Sequence, residues 1–357
     1  MGLNGAAHAS YIYDSNSNRT SQTSSGVTKN GTYDGQDRLL TYGTKSFAYN
    51  LNGEMTSFTD SASHLTTSYG WDSRGELKTV TLPTKKSVTY LRDVAGNPSV
   101  RSSGGVITVW NVFNHRNQLI ATLDPALSAA VSKRFVYGTN PSVPDYMFVP
   151  STGHTFKFVT DHLGSPVEII DVNTGAVAEE IHYDDFGNVT SDSNPGFQPF
   201  GFAGGLYDQD TKLTHFGRRE YDASIGRWLS KDPILFGGGG TNLYGYVLAD
   251  PINYIDPSGL SRNGGFGKCV AGAGMTAFGI VSLPNPYALI PIAVGLGMVN
   301  SGINDINQAG ACGDPPPPPG NPPGSPPGGG GPGDPPGSPP GGGGGGGGEP
   351  GGSCKAQ

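Results

Sequence analysis

No cysteine occurs in the first 260 residues of this 357-residue chain; Cys269, Cys312 and Cys354 all come later. The body therefore has no disulfide and no thiolate metal site, and the odd count leaves at least one tail thiol unpaired or intermolecular. Charge is scarce too. Charged residues make up 14% of the chain, the net charge is −7, and Lys and Arg form no stripe. Nucleic-acid binding normally needs clustered basic side chains, so no such partner is expected. The start, MGLNGAAHASYIYD, lacks a basic region and an apolar core, so no signal peptide is expected there. Met-Gly could open a myristoylation motif, but residue 6 is Ala where that motif needs Ser or Thr. The histidines (His8, His64, His115, His154, His162, His182 and His215) show no ligand spacing, and neither metal nor cofactor is expected. Gly237–Gly240 is followed by no Lys-Ser/Thr and no helix signal, so it reads as a flexible loop, not a phosphate cradle.

What the chain does have is β-forming side chains, with 16 Tyr, 15 Phe and many Thr and Val. It also repeats itself. Tyr13-Asp14-Ser15-Asn16-Ser17-Asn18-Arg19 is followed by units beginning at Tyr33-Asp34, Tyr49-Asn50 and Trp71-Asp72. Weaker copies begin at Arg92-Asp93, Phe113-Asn114, Thr160-Asp161 and Tyr183-Asp184. The pattern is aromatic, Asp or Asn, two variable residues, Gly or Asn, one variable residue, apolar. The aromatic ends a strand, and the Asp or Asn accepts backbone hydrogen bonds in a turn. The Gly or Asn tolerates positive φ, and the apolar residue opens the return strand. Segments such as Leu77-Lys78-Thr79-Val80-Thr81-Leu82 alternate with period two between the turns. One such hairpin cannot bury its apolar face alone; side by side they make a continuous sheet.

The stretch from Phe216 to Leu260 carries the remaining signals. Asp232 lies in Ser230-Lys231-Asp232-Pro233 and Asp256 in Asp256-Pro257-Ser258-Gly259-Leu260. Asp-Pro commonly starts a turn, and Asp124-Pro125 and Asp250-Pro251 repeat the dipeptide here. The competing reading is a carboxylate pair of aspartic-protease type, in which two close acids share a proton, one activating water and one donating to the amide.

The repeats and the run HYDDFGNVT, PFGFAGGLYDQDTKLTHFGRREYDASIGRWLSKDPI and NLYGYVLADPINYIDPSGL resemble the RHS/YD-repeat proteins, including their repeat-associated core. The resemblance covers residues 1–260 and is most specific from Ile181 to Leu260. It implies a β-sheet strip that spirals into a shell around a polymorphic-toxin or Tc-toxin effector. Family shells are much longer, so eight repeats imply a partial shell. In self-cleaving members an Arg of the RYYD motif and the Asp residues of SxDP and DPxGL are required, and the chain is cut after the Leu of DPxGL. Carried over, these are Arg219, Asp232 and Asp256, with the scissile bond at Leu260–Ser261. Here the first motif reads RREYD, and the extra carboxylate of Glu220 is expected to pair with Arg219 and disturb it. Arg227 and Trp228 fall at the GRF position; Arg227 is expected to brace carbonyls and Trp228 to fill the core.

The expected fold is mainly β: YD hairpins in a curved antiparallel strip, then a short α-helical apolar hairpin and a disordered Pro/Gly tail. The expected division is repeats at 1–180, the core at 181–260, a variable segment at 261–312 and the tail at 313–357. Residues 269–304 carry no charge and split at Pro284-Asn285-Pro286 into halves too short to span a membrane singly. They read as a buried hairpin, a membrane-inserting segment or the remnant of a toxin domain. Cys269 and Cys312 flank them and could form a disulfide in an oxidising compartment. One functional reading is a shell fragment that cuts itself after Leu260 to release its own C-terminal segment as cargo. Its partners would be a longer shell chain, a delivery component or an immunity protein. The other is a non-cleaving secreted or cell-surface repeat protein acting in adhesion, carbohydrate binding or intercellular competition.

Overall fold

The computed structural model describes residues 9–238 and 240–260. The expected apolar helical hairpin, the Cys269–Cys312 pairing and the Pro/Gly tail lie outside the described residues.

Each repeat turn closes by the same local chemistry. In the first, Asp14 N–H donates to Asn18 O at 3.0 Å and Ser17 N–H donates back to Asp14 O at 3.1 Å. The Asp14 carboxylate accepts from the backbone of Asn16 and Asn18, both at 2.9 Å. The fourth turn residue has positive φ in all eight copies: Ser17, Asp37, Gly53, Gly75, Gly96, Asn117, Gly164 and Gly187. The ladder slips by one residue immediately beside each turn, as between Ile12 and Tyr13 or between Gly70 and Trp71. The slip is a bulge, which adds local twist and bends the strip.

These turns link an 18-stranded antiparallel meander that runs from the strand Ala9–Tyr13 to the strand Val189–Asp192. Register follows chain order, each strand pairing with the next. Every YD turn therefore falls at the same end of the strip. The loop from Tyr137 to Asp145 takes the turn's place between the strands Ala130–Val136 and Tyr146–Val149. The strip curls until its ends touch: Tyr11 Oη donates to Asp185 at 2.9 Å and its ring meets Phe186 edge-on at 5.1 Å.

The aromatic at the head of a repeat, or at the start of the loop that replaces one, does more than bury its ring. Tyr33 Oη donates to Arg19 O at 2.8 Å, Trp71 Nε1 to Met55 O at 2.7 Å, and Tyr137 Oη to Leu119 O at 2.9 Å. Each reaches back to the carbonyl of an earlier return strand, stitching neighbouring hairpins at the turn end.

The concave face is filled by the chain's own continuation. A four-stranded sheet comprises Leu206–Tyr207, Leu213–Phe216, Arg219–Asp222 and Arg227–Trp228. Leu213, Ile225 and Leu229 pack with strip residues such as Met55, Leu77, Val80 and Val88 in one core. Phe200 joins Leu119, Phe135, Met147 and Ile169 in a second. Polar ties add to this packing. Arg227 donates to Asn18 Oδ1 at 2.7 Å and to Asp37 O at 2.6 Å, and Tyr244 Oη donates to Gly53 O at 2.7 Å.

Candidate functional site: a buried arginine between two carboxylates

The inner sheet has two faces, and its strand Arg219–Asp222 sends successive side chains to opposite ones. Arg219 and Tyr221 enter an aromatic core with Phe216, Trp228 and Tyr246. Tyr221 and Tyr246 lie 4.5 Å apart between ring centroids, Trp228 and Tyr246 5.3 Å. The Arg219 guanidinium sits 4.1 Å from the Trp228 ring centroid. Trp228 is thus a core residue, while Arg227 braces one carbonyl, Asp37 O, and two side-chain oxygens, of Asn18 and Asn242.

Asp232 and Asp256 come from two separate loops and meet at Arg219. Arg219 Nη2 lies 3.1 Å from Asp232 Oδ2 and 3.2 Å from Asp256 Oδ2, and all three residues are fully buried. One guanidinium nitrogen bridges both acids, so its charge offsets the repulsion between them. Burial among aromatic rings strengthens each of these interactions. Tyr246, beside them, is held protonated well above the ordinary tyrosine range by burial and by the charge of Asp256.

Both acids also do ordinary turn work. Asp232 Oδ1 accepts from Ile234 N at 3.0 Å. Asp256 Oδ1 accepts from Ser258 Oγ at 2.8 Å and from Leu260 N at 3.3 Å. Both acids thus do the turn work expected of Asp-Pro, and Arg219 in addition brings the two carboxylates to one guanidinium.

The segment from Asp256 to Leu260 is strapped down group by group. Arg218 N–H donates to Ser258 O at 3.1 Å, Arg219 Nε donates to Gly259 O, and Leu260 N–H donates to Asp256 and to Ser258 Oγ. A side chain at Gly217 or Gly259 would collide with backbone of the opposing segment, at 2.3 and 2.4 Å from the nearest oxygen. The approach is therefore backbone to backbone, and glycine permits it. Leu260 and Asp232 line one cavity of about 470 Å³ that opens to solvent. Ser261 lies outside the described residues.

Glu220 departs from the expectation that it would pair with Arg219. It points to the opposite face of the strand, where it pairs with Arg92 and accepts from His215 Nδ1 at 3.1 Å. Burial alone would raise its carboxyl pKa, but Arg92 and His215 hold it below the usual glutamate range. The reason is the two-residue period of a strand, which separates adjacent side chains regardless of their charge. Among the described residues no group of three or more His, Cys, Asp or Glu side chains is placed to hold a metal, and no helix is long and apolar enough to cross a membrane.

Comparison with known proteins places this geometry in a family. Residues 1–239 match the family described as teneurin YD-shell. Teneurin-3 of Danio rerio is 38% identical over 116 residues, 29% of this chain and 4% of that protein. Double-stranded DNA deaminase toxin A of Burkholderia cenocepacia (strain H111) is 28% identical over 256 residues, 68% of this chain and 16% of that protein. The chain thus spans only a small part of these relatives. Among solved structures, TcdB2-TccC3 without its hypervariable C-terminal region aligns over 71% of this chain and 13% of that one, with 19% identity and a TM-score of 0.44. The match to the family over two thirds of the sequence, with its turns and meander in place, makes this chain a member of the YD-shell family.

Proposed function

We propose that the chain is part of a toxin-type YD shell and hydrolyses its own Leu260–Ser261 bond, releasing the segment from Ser261 onward as cargo. The observation that carries this reading is the buried Arg219 bridging Asp232 and Asp256, with Leu260 anchored to the same Asp256. The two acids have different surroundings. Asp256 holds the substrate backbone through Leu260 N and Ser258 Oγ, which makes it the positioning acid. Asp232 lines the solvent-open cavity, which makes it the general base. Asp232 takes a proton from water as the water oxygen bonds to the Leu260 carbonyl carbon. The bond to Ser261 nitrogen then breaks, and that nitrogen leaves as an amine carrying the proton. One water is consumed, leaving a Leu260 carboxylate and a new amino terminus. Arg219 fixes both acids and the Gly259 carbonyl, so the peptide is presented in one orientation.

The division at Leu260, export to the cell exterior, and a delivery or immunity partner belong to the same proposal. Intact mass after expression, beside an Asp232→Asn variant, tests it. The wild-type chain should separate after Leu260 and the variant should stay whole. If both stay whole, the inner sheet is a structural plug and the reading fails.

A further inference from the structure

Two cavities meet at Leu260. The one that holds Asp232 mixes its charges: Glu54 and Glu76 share its wall with Arg74 and Lys231. The second, of about 560 Å³, is lined by two arginines, Arg116 and Arg218, and by no Lys, Asp or Glu. In a chain of net charge −7, this is an acid-free space directly beside the proposed scissile bond. Leu260 and Arg218 are the two residues that line both cavities. Arg218 is tied to the strap that carries Leu260. Its backbone N–H donates to Ser258 O at 3.1 Å, and a side chain on Gly259 would come within 3.3 Å of the same nitrogen. The next Cα, that of Leu260, lies about 3.8 Å further along the chain. The Arg218 guanidinium meets Glu76 through Nη1 alone, at 3.3 Å. Its remaining nitrogens make no hydrogen bond or ion pair among the described residues, so one edge of the donor fork is open.

Hydrolysis turns the neutral Leu260 carbonyl into a carboxylate. Beside Asp232, Glu54 and Glu76 that new charge is repelled, whereas the second cavity offers it arginine and no acid. We infer that, once the bond is cut, the Leu260 carboxylate turns into the acid-free cavity and is held there by the Arg218 guanidinium. This rests on the proposed self-cleavage, and it gives Arg218 a role that begins only when the chemistry ends. A guanidinium pairs strongly with a carboxylate and weakly with an amide carbonyl, so the contact stabilises product over substrate. The distinction matters inside a fold. The freed amine stays close to the carboxyl it left, and such proximity gives it a high effective concentration. Carboxylate and ammonium can then re-form the amide with loss of one water, by the reverse of the cleavage step. Drawing the carboxylate away from Asp232 and from that amine makes the cut one-way. Arg218 is thus a product-holding residue.

Placement is read by solid-state NMR on the full-length protein after cleavage, with carbonyl-13C leucine and guanidino-15N arginine. Leu260 supplies the single leucine carboxylate, because the chain itself ends in Gln357. That carbon should show an arginine nitrogen at ion-pair range, about 4 Å. The contact should vanish in Arg218→Lys, which keeps the charge and the backbone strap. No arginine contact in the wild-type protein, or one that persists in Arg218→Lys, overturns the placement. The role is read by moving the cleaved protein into 18O-water. Each re-formation and second cut puts label into the Leu260 carboxylate, measured as the mass of the peptide that ends there. Arg218→Gln should take up label about tenfold faster than wild type, with Arg218→Lys close to wild type. Equal uptake in Arg218→Gln and wild type overturns the role. A wild-type chain that stays whole shows no leucine carboxylate, and the self-cleavage reading falls together with this inference. A chain that cleaves without the arginine contact overturns this inference alone.

Discussion

Arg219 and Glu220 are consecutive, fully buried and oppositely charged, yet they belong to different networks. Arg219 collects Asp232 and Asp256; Glu220 collects Arg92 and His215 from the other side of the strand. Removing either member of a buried ion pair strands the other without a partner. Glu220→Ala should therefore cost about 3–5 kcal/mol, read from the midpoint of urea unfolding. Its effect on cleavage should be small below the melting temperature, since its carboxylate touches none of the three site residues. Arg219→Lys should behave in the reverse way. A single ammonium cannot reach both acids and the Gly259 carbonyl in one geometry, so cleavage should fall sharply while the charge is kept. At this scale the sequence was only partly readable. Asp232 and Asp256 stand 24 positions apart in the chain, as their numbering shows, and nothing in that spacing says that they meet; family resemblance carried that expectation. The pairing of Glu220 with Arg92, 128 residues away, left no local trace. Its direction, however, was available from strand alternation at Arg219–Asp222.

The hairpin is the element that repeats, and its turn was legible because its chemistry is confined to five residues. Three turns, at Ser17, Asp37 and Asn117, place a non-glycine residue at positive φ where the other five copies use glycine. Ser17→Gly should gain up to about 1 kcal/mol by relieving that strain. The opposite change depends on surroundings. At Gly26, with φ +77, an added Cβ meets nothing within 4 Å; at Gly187, with φ +88, it falls 2.1 Å from the Phe202 ring. Gly26→Ala should cost about 1 kcal/mol and Gly187→Ala about 2–4 kcal/mol, the excess being overpacking. Thermal unfolding of the pair separates the backbone term from the packing term. The back-bonds from Tyr33, Trp71 and Tyr137 to earlier repeats were not legible. A repeat pattern tells which residues turn, whereas register and curl decide which carbonyl a ring's polar tip finds.

At the scale of the molecule, the junction between strip and inner sheet is linked to pH. Burial would raise the Asp208 carboxyl pKa, but Arg101 binds it through two nitrogens and Tyr90 donates to it, bringing it down to about 2. Its folded pKa is depressed, so its contribution is present above the ordinary aspartate range and is lost as pH falls from about 4 toward 2. That contribution is on the order of 2 kcal/mol, and Asp208→Asn should flatten the acid limb of a stability–pH curve. Glu179 works the other way, its pKa raised by burial to about 8. Its folded form keeps the proton while the unfolded chain ionises, so stability is full below about pH 4.5 and declines as pH rises toward 8. Glu179→Gln should raise the melting temperature at pH 8 by several degrees and leave it unchanged at pH 4. No change at pH 8 would show that Glu179 ionises normally in the fold.

Arg227 and Asn242 grip Asn16, Asn18 and Asp37, contacts that close loops of about two hundred residues. Such contacts form late, because closing a long loop is costly before other packing exists. During synthesis the earliest turns gain these contacts only once residues 227–242 have left the ribosome. On the proposed self-cleavage, the site around Leu260 is complete only after these contacts form, so a nascent chain would keep its C-terminal segment attached until the fold has closed.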